Sequence, residues 1–382
     1  MTAQFPKAIH QFHSGSAVGD GVTNGMFFTR RLLRALGYVS EIYVEHIADE
    51  LSDELKDYHA FCDRTDELLL VHHSFGHDVE QWLLGLNCPK VLVYHNITPA
   101  EFFAQGSGFY HYAQLGRQQL ARWVEQDLFD AALSDSDLNQ SELLQLGFNR
   151  EHTVLPLLID LELWRKDLSA MASDSTALAE EPYGGSESFN LLFVGRIARN
   201  KNQHLLLQLV AELRHHFPNI DWQLTLIGGC SDASYLEELQ QDIKHRHLCR
   251  AVSIAGKVSQ HALVEAYRKA DLFVCLSAHE GFGMPLIESM FFDLPVVAGN
   301  SSNIAATLDQ AGLLVECADD QEQVQALLKL IAVLQQRPDL LKRMVLSGQQ
   351  RVLKLEPDYL QMQLKAWLDK VIAQIEFAQP EG

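Results

Sequence analysis

The sequence contains no C-x-x-C pair: its six cysteines, Cys62, Cys88, Cys230, Cys249, Cys275 and Cys317, stand apart. That argues against a zinc knuckle or a dense disulfide framework and reads as reduced thiols. No stretch approaches the roughly 20 apolar residues that span a bilayer, and residues 1–8 lack the apolar core of an export signal, so a cytoplasmic protein is expected. Positive charge is scarce. Thirty Lys and Arg face fifty Asp and Glu, for a net charge of −20, which disfavours a nucleic-acid binder working by phosphate neutralisation. What remains is ordinary globular composition, 47% hydrophobic and 21% charged over 382 residues, enough for two domains with full cores.

Short apolar runs at 8–12, 41–47, 67–72, 91–94 and 131–133 alternate with amphipathic stretches such as 24–36 and 139–146. Strand-then-helix repetition of this kind predicts a parallel α/β sheet. The texture changes after Trp164: residues 166–188 are rich in Ser, Ala, Asp, Glu and Gly and read as a linker or surface insertion. The alternation then restarts, with strands expected at 190–194, 223–228, 252–255, 272–276 and 295–298. The expected division is therefore a first domain at 1–165, a second at 189–357, and a C-terminal helix at 358–378 that crosses back to the first.

Chemistry concentrates at four places. The strand 272–276 runs into Ala278-His279-Glu280-Gly281-Phe282-Gly283-Met284-Pro285, and a helix carrying Glu288 follows. Pro285 suits the first helical position, so the N–H groups around it converge at a helix N-terminus, a seat for phosphate or sugar hydroxyls. Glu280 and Glu288 lie where open α/β sheets bind ligands and can accept hydrogen bonds from vicinal hydroxyls, the lesser alternative being a turn residue and an exposed helix residue. Next, Gly195-Arg196-Ile197-Ala198-Arg199-Asn200-Lys201 ends a strand and offers a guanidinium fork plus an ammonium, a pair suited to a diphosphate. A Gly-rich loop, with Gly15, Gly19, Gly21 and Gly25, follows the first strand, but its spacing misses the dinucleotide fingerprint and no Walker G-K-[ST] is present. Finally, Val91–Tyr94 delivers His95, while His72, His73 and His77 leave zinc as a minor alternative lacking a third ligand by spacing. Asp135-Ser136-Asp137 superficially matches a D-x-D metal motif; Asp137 or Asn139 capping a helix is the simpler reading.

Taken together these segments resemble the retaining glycosyltransferases of family 4, the group 1 glycosyltransferases, over nearly the whole chain. The resemblance is carried by the E-x7-E pair Glu280 and Glu288, the Gly195-Arg196-x4-Lys201 segment, the Gly19-Asp20-Gly21 loop and His95. It implies the GT-B fold: α/β, two facing Rossmann-like domains with a cleft between them. It further implies that Arg196 and Lys201 bind the donor pyrophosphate and that Glu288 binds the ribose hydroxyls. Glu280 would take the transferred sugar together with the backbone of Gly281, Phe282, Gly283 and Met284. His95 would lie near that sugar, and Lys257, in Gly256-Lys257-Val258, near the nucleobase. The implied enzyme is a metal-independent hexosyltransferase with no cofactor, using a UDP- or GDP-sugar and a glycan or lipid-linked acceptor. Bacterial surface polysaccharide synthesis is the implied setting.

The acceptor side rests on less. Phe102, Phe103, Phe109, Tyr110, His111, Tyr112, Arg117, Arg122 and Trp123 form an aromatic and basic stretch that can embrace an acceptor or simply pack. The run Phe27 to Arg34 allows peripheral contact with the inner face of the membrane or, equally, a core helix. A sugar-nucleotide epimerase on the same architecture and a non-catalytic nucleotide-sugar-binding subunit stand as alternatives; a nicotinamide-dependent dehydrogenase is weaker because of its glycine spacing.

Overall fold

Why both faces of the first sheet are buried follows from residue alternation along its strands. In a computed structural model of the chain, which describes residues 6–156, 160–174, 188–316 and 319–375, the strands 68–73 and 90–94 carry apolar side chains at consecutive positions. Leu68, Leu70, Val91 and Val93 point into one core; Leu69, Val71, Leu92 and Tyr94 point into another. Continuous apolar runs of this sort fit only a sheet covered on both sides. The chain divides into two units, residues 1–161 with 355–382 and residues 162–354.

The first unit runs β1 (Ile9–Gly15), α1 (Gly21–Ala35), β2 (Ile42–His46), β3 (Lys56–Asp57), β4 (Leu68–His73), α2 (Glu80–Gly85), β5 (Lys90–Tyr94), α3 (Gly108–Glu125), β6 (Ala131–Ser134), α4 (Asp137–Gln145) and β7 (Glu151–Val154). All neighbours are parallel, in the order β3-β2-β1-β4-β5-β6-β7. The C-terminal helix Pro357–Gln374 belongs to this unit: Leu360, Leu364, Trp367, Leu368 and Val371 recur at helical spacing and pack with Ile9, Phe28 and Leu32. α1 buries Phe28, Leu32 and Leu33, and its Arg30 and Arg31 pair with Glu54 and Asp160. The run considered for membrane contact is thus a core helix with neutralised cations.

The second unit runs α5 (Leu161–Asp174), β8 (Ser188–Val194), α6 (Gln203–His216), β9 (Asp221–Ile227), α7 (Ala233–His245), β10 (Val252–Gly256), α8 (Gln260–Lys269), β11 (Leu272–Cys275), α9 (Met284–Phe291), β12 (Val296–Gly299), α10 (Ile304–Leu308), β13 (Leu313–Val315), α11 (Asp320–Gln335) and α12 (Pro338–Leu353). Its sheet order is β10-β9-β8-β11-β12-β13, again all parallel. Residues 166–174, read from composition as linker, continue the helix α5, whose Trp164 packs on Phe291. The rest of that linker (175–187), Cys317 and positions 376–378 lie outside the described residues. Among the described residues, no helix is long and apolar enough to cross a membrane.

Candidate functional site

Both sheets reverse their strand order once, between β1 and β4 in the first unit and between β8 and β11 in the second. Loops leaving adjacent strands at such a point diverge and open a crevice beyond the carboxyl edge. In the second unit the two loops are stitched together. The Asn200 carbonyl accepts the Ala278 N–H at 2.8 Å, and Asn202, at φ 51°, donates its side-chain N–H to the Leu276 carbonyl at 2.9 Å. That stitching sets Lys201 Nζ 2.6 Å from Glu280 Oε1 and 3.2 Å from the His279 carbonyl, which accepts from it. Arg196 is exposed, and its guanidinium finds no acceptor among the described residues.

The turn from Glu280 to Met284 is held from one side. Ser302 Oγ donates to the Glu280 carbonyl at 2.8 Å, Asn303 Nδ2 donates to the Gly281 carbonyl, and Thr307 Oγ1 donates to that of Phe282. Their N–H groups are unspent: among the described residues, those of Glu280, Gly281, Phe282, Gly283 and Met284 donate to nothing. Gly283 caps α9 at φ 82°, ψ 53°, the left-handed conformation that lets successive N–H groups face one concavity. The helix starts at Met284, so Pro285 takes the second helical position and not the expected first; its missing N–H is costless at either. The site therefore offers five undonated N–H groups at a helix N-terminus, with the Lys201 ammonium held against Glu280 and Arg196 on the neighbouring loop.

Glu288 lies in the second turn of α9, and its Oε2 accepts the Tyr267 hydroxyl at 2.5 Å. Burial raises the Glu288 carboxyl above the ordinary range, partly offset by that hydrogen bond. Burial and the neighbouring Glu288 push the Tyr267 phenol well up, so it stays a donor. Lys257 follows β10, its stem over Gly229: a Cβ there would meet Lys257 Cε at 2.9 Å. At Gly228, φ 147°, a Cβ would fall 2.0 Å from the Gly195 carbonyl oxygen, so glycine is required for the loops after β8 and β9 to approach.

The first unit uses its switch point differently. His13, at the end of β1, contacts the Gly15 carbonyl through Nδ1 at 2.6 Å and Ser74 Oγ through Nε2 at 2.9 Å. His95 is buried, its Nδ1 2.8 Å from Asp135 Oδ2 and its Nε2 2.8 Å from His72 Nδ1. His72 Nε2 meets Gln11 Oε1 at 3.0 Å, and Gln11 Nε2 donates to the Met26 carbonyl at 3.1 Å. Burial lowers the pKa of His13, takes that of His72 well below its ordinary value, and brings His73 down to about 3 and His77 to about 4. Among the described residues, His77 has no hydrogen-bond partner for either ring nitrogen, and it packs against Phe12 and Trp123. Among the described residues, no group of three or more His, Cys, Asp or Glu is arranged to hold a metal ion.

The second unit thus gathers Arg196, Lys201, Glu280, Gly281, Phe282, Gly283, Met284 and Glu288 on adjacent loops, with Lys257 two strands from β8. His95, Gly19 and Gly21 belong to the first unit. Gly19 sits at φ 79° with open space around it, Asp20 caps α1 by accepting the Thr23 N–H, and Gly21 begins the helix. Several contributors were missed in the sequence. Asp135, passed over as part of a D-x-D look-alike, grips His95, and the cap of α4 is Ser136 in place of Asp137 or Asn139. Asn202, Tyr267 and the Ser302–Thr307 props carry no motif; only the fold places them. The aromatic stretch divides between packing and surface. Trp123 is buried and donates to Glu80, whereas Phe109 is 54% exposed and stacks on Phe103.

Residues 181–350 match the family model of the glycosyl transferases group 1. A D-inositol 3-phosphate glycosyltransferase of Corynebacterium jeikeium (strain K411) is 34% identical over 143 residues, covering 36% of this chain and 34% of that protein. The human alpha-1,3/1,6-mannosyltransferase ALG2 is 24% identical over 263 residues, 65% of this chain and 61% of that one. The match to the first of these spans about a third of the relative's length. Among solved structures, Anabaena Alr3699/HepE in complex with UDP and glucose superposes with a TM-score of 0.67 at 16% identity, over 95% of this chain and 100% of that one. Sucrose-phosphate synthase (tll1590) from Thermosynechococcus elongatus gives 0.68 at 18% identity, over 96% and 100%. What is shared with these structures is the fold, GT-B, with parallel sheets of seven and six strands in this chain.

Proposed function

We propose, from the match of residues 181–350 to the family model of the glycosyl transferases group 1, that the chain moves a hexose from a UDP- or GDP-sugar to a glycan or lipid-linked acceptor, with retention at the anomeric carbon and without a metal. The observation that carries this reading is the nest of five unspent N–H groups at 280–284 beside Lys201 and the unpaired Arg196. An ammonium has three N–H donors. Glu280 and the His279 carbonyl take two from Lys201, leaving one for a phosphate oxygen while the Arg196 fork reaches the other phosphate.

Positive charge there stabilises the departing nucleoside diphosphate, and a diphosphate oxygen takes the acceptor proton on the same face of the sugar. Glu280, steadied by Lys201, and the nest hold the transferred sugar. Glu288, oriented by Tyr267, accepts the ribose hydroxyls, and Lys257 reaches the nucleobase. Gly19 and Gly21 provide backbone that a phosphate can approach, and His95 contributes to sugar placement. The proposed setting is cytoplasmic, in bacterial surface polysaccharide synthesis. Relatives that are D-inositol 3-phosphate glycosyltransferases, and a fold relative solved with UDP and glucose, support a nucleotide-sugar donor.

The test is a thermal-shift screen against UDP-, GDP- and ADP-sugars, followed by labelled-sugar transfer to candidate acceptors with the hit. Stabilisation by one donor class, lost in Arg196→Ala, is expected. No stabilisation by any of them, or formation of an epimer without acceptor, overturns the proposal.

A further inference from the structure

The buried chain Asp135–His95–His72–Gln11 fixes its own protons. Gln11 Nε2 donates to the Met26 carbonyl, so its Oε1 faces His72, and a flipped amide would set oxygen against oxygen. His72 Nε2 must then carry a proton. If His72 is neutral, its Nδ1 is an acceptor, and His95 Nε2 must be the donor across their 2.8 Å contact. At its other nitrogen His95 faces a carboxylate oxygen at 2.8 Å, which also calls for a donor. The rings of His72 and His95 stack at 8° with centroids 5.0 Å apart. Beside them the space amounts to about 20 Å³, room for one water and not for bulk solvent.

We infer that both ring nitrogens of His95 carry a proton and donate, Nδ1 to the Asp135 carboxylate and Nε2 to the neutral His72, and that Asp135 and His72 are its positioning residues. The proton count leaves three homes for the extra proton: His95, His72 or Asp135. His95 wins on distance to charge. Its ring touches the carboxylate, whereas a His72 cation would be one ring farther away and a protonated Asp135 would give up a charge-assisted contact. The other titratable groups facing the pair, His13 from β1 and His73 from β4, are buried, which lowers the pKa of each; Asp20 pulls that of His13 the other way. Burial holds His72 well below its ordinary value, in agreement with its acceptor role.

The consequence for transfer rests on the function proposed above. A histidine with both nitrogens donating inward cannot act as the acceptor's base; it is a fixed charge and strut whose backbone and orientation serve the sugar. The structural half needs no activity. In histidine-15N-labelled full-length protein, multiple-bond 1H–15N spectra, assigned with His95→Gln and His72→Gln, report each ring nitrogen. The expected result is protonated nitrogens at both positions of His95 and at Nε2 alone of His72. An unprotonated His95 nitrogen overturns the assignment. The kinetic half uses Asp135→Asn once a donor is known. A positioning role predicts a turnover loss of about tenfold to a hundredfold with the pH profile unmoved, against ~10⁴-fold where the histidine itself moves the proton. Loss of a limb of the wild-type pH profile in the variant would refute it.

Discussion

The two sheets share one strand order around their switch points and spend the polar groups there in opposite ways. In the second unit, Ser302, Asn303 and Thr307 satisfy the carbonyls of the 280–282 turn and leave its N–H groups undonated. In the first unit, His72, His95, Asp135 and Gln11 satisfy one another, and His13 is taken up by the Gly15 carbonyl and Ser74. The same topology therefore makes an open anion seat in one place and a closed internal network in the other. A switch point provides a location; unspent hydrogen-bonding capacity is what makes that location a binding site.

The largest test of that contrast removes the cations of the open site. Arg196→Ala should cut transfer by about 10²–10³-fold, the scale of losing one preorganised donor, with the melting temperature unchanged because the exposed guanidinium has no partner among the described residues. Lys201→Ala should cut transfer as deeply and also lower the melting temperature, since it strands the half-buried Glu280 carboxylate. Equal melting temperatures for the two variants would contradict the pairing.

Acid should break the closed network first. His13, His72, His73 and His77 all titrate lower in the folded chain than when unfolded, because burial disfavours their charged forms. The stability they permit is complete above the unfolded value of about 6.5 and is lost as pH falls from there toward about 3, a loss on the order of a few kcal/mol. In the second unit, burial raises the carboxyls of Asp271 and Glu288, which acts in the opposite direction. Hydrogen exchange at pH 7.5 and pH 5 should show opening of β1, β4 and β5 before β8 and β11. Simultaneous opening would erase the distinction.

Smaller effects refine the open site. Gly283→Ala places a side chain at φ 82°, with its Cβ 2.9 Å from Leu286 Cδ1. It should destabilise by about 1–2 kcal/mol, the left-handed penalty, as read by chemical denaturation. Tyr267→Phe removes only the hydroxyl that donates to Glu288. Donor KM should rise by about tenfold, corresponding to one hydrogen bond to a charged group, with kcat nearly constant.

Period and punctuation in the sequence revealed most of the fold. The strands around 91–94 and 272–276 read as buried because their apolar runs are continuous; Gly281 marks the turn after the second of them, as Gly195 does after 190–194. Short edge strands such as β3 and β13 carry too few residues for a pattern, and α3 was hidden by aromatic residues that gave no clear helical period. Residues 166–174 misread as linker because Ser, Ala and Asp are weakly patterned, although they continue the helix α5.

The sequence alone determined the alternation of strand and helix, the scarcity of cations, and the residue types at each strand's carboxyl end, because these are local in the chain. It could mark Lys201 and Glu280 as chemically apt. Only the tertiary structure decided that they meet at 2.6 Å, that Tyr267 steadies Glu288, and that His95 faces Asp135, 40 residues away. Those pairings depend on which strands lie side by side, and strand order is settled by packing over the whole unit, beyond the reach of any single stretch of residues.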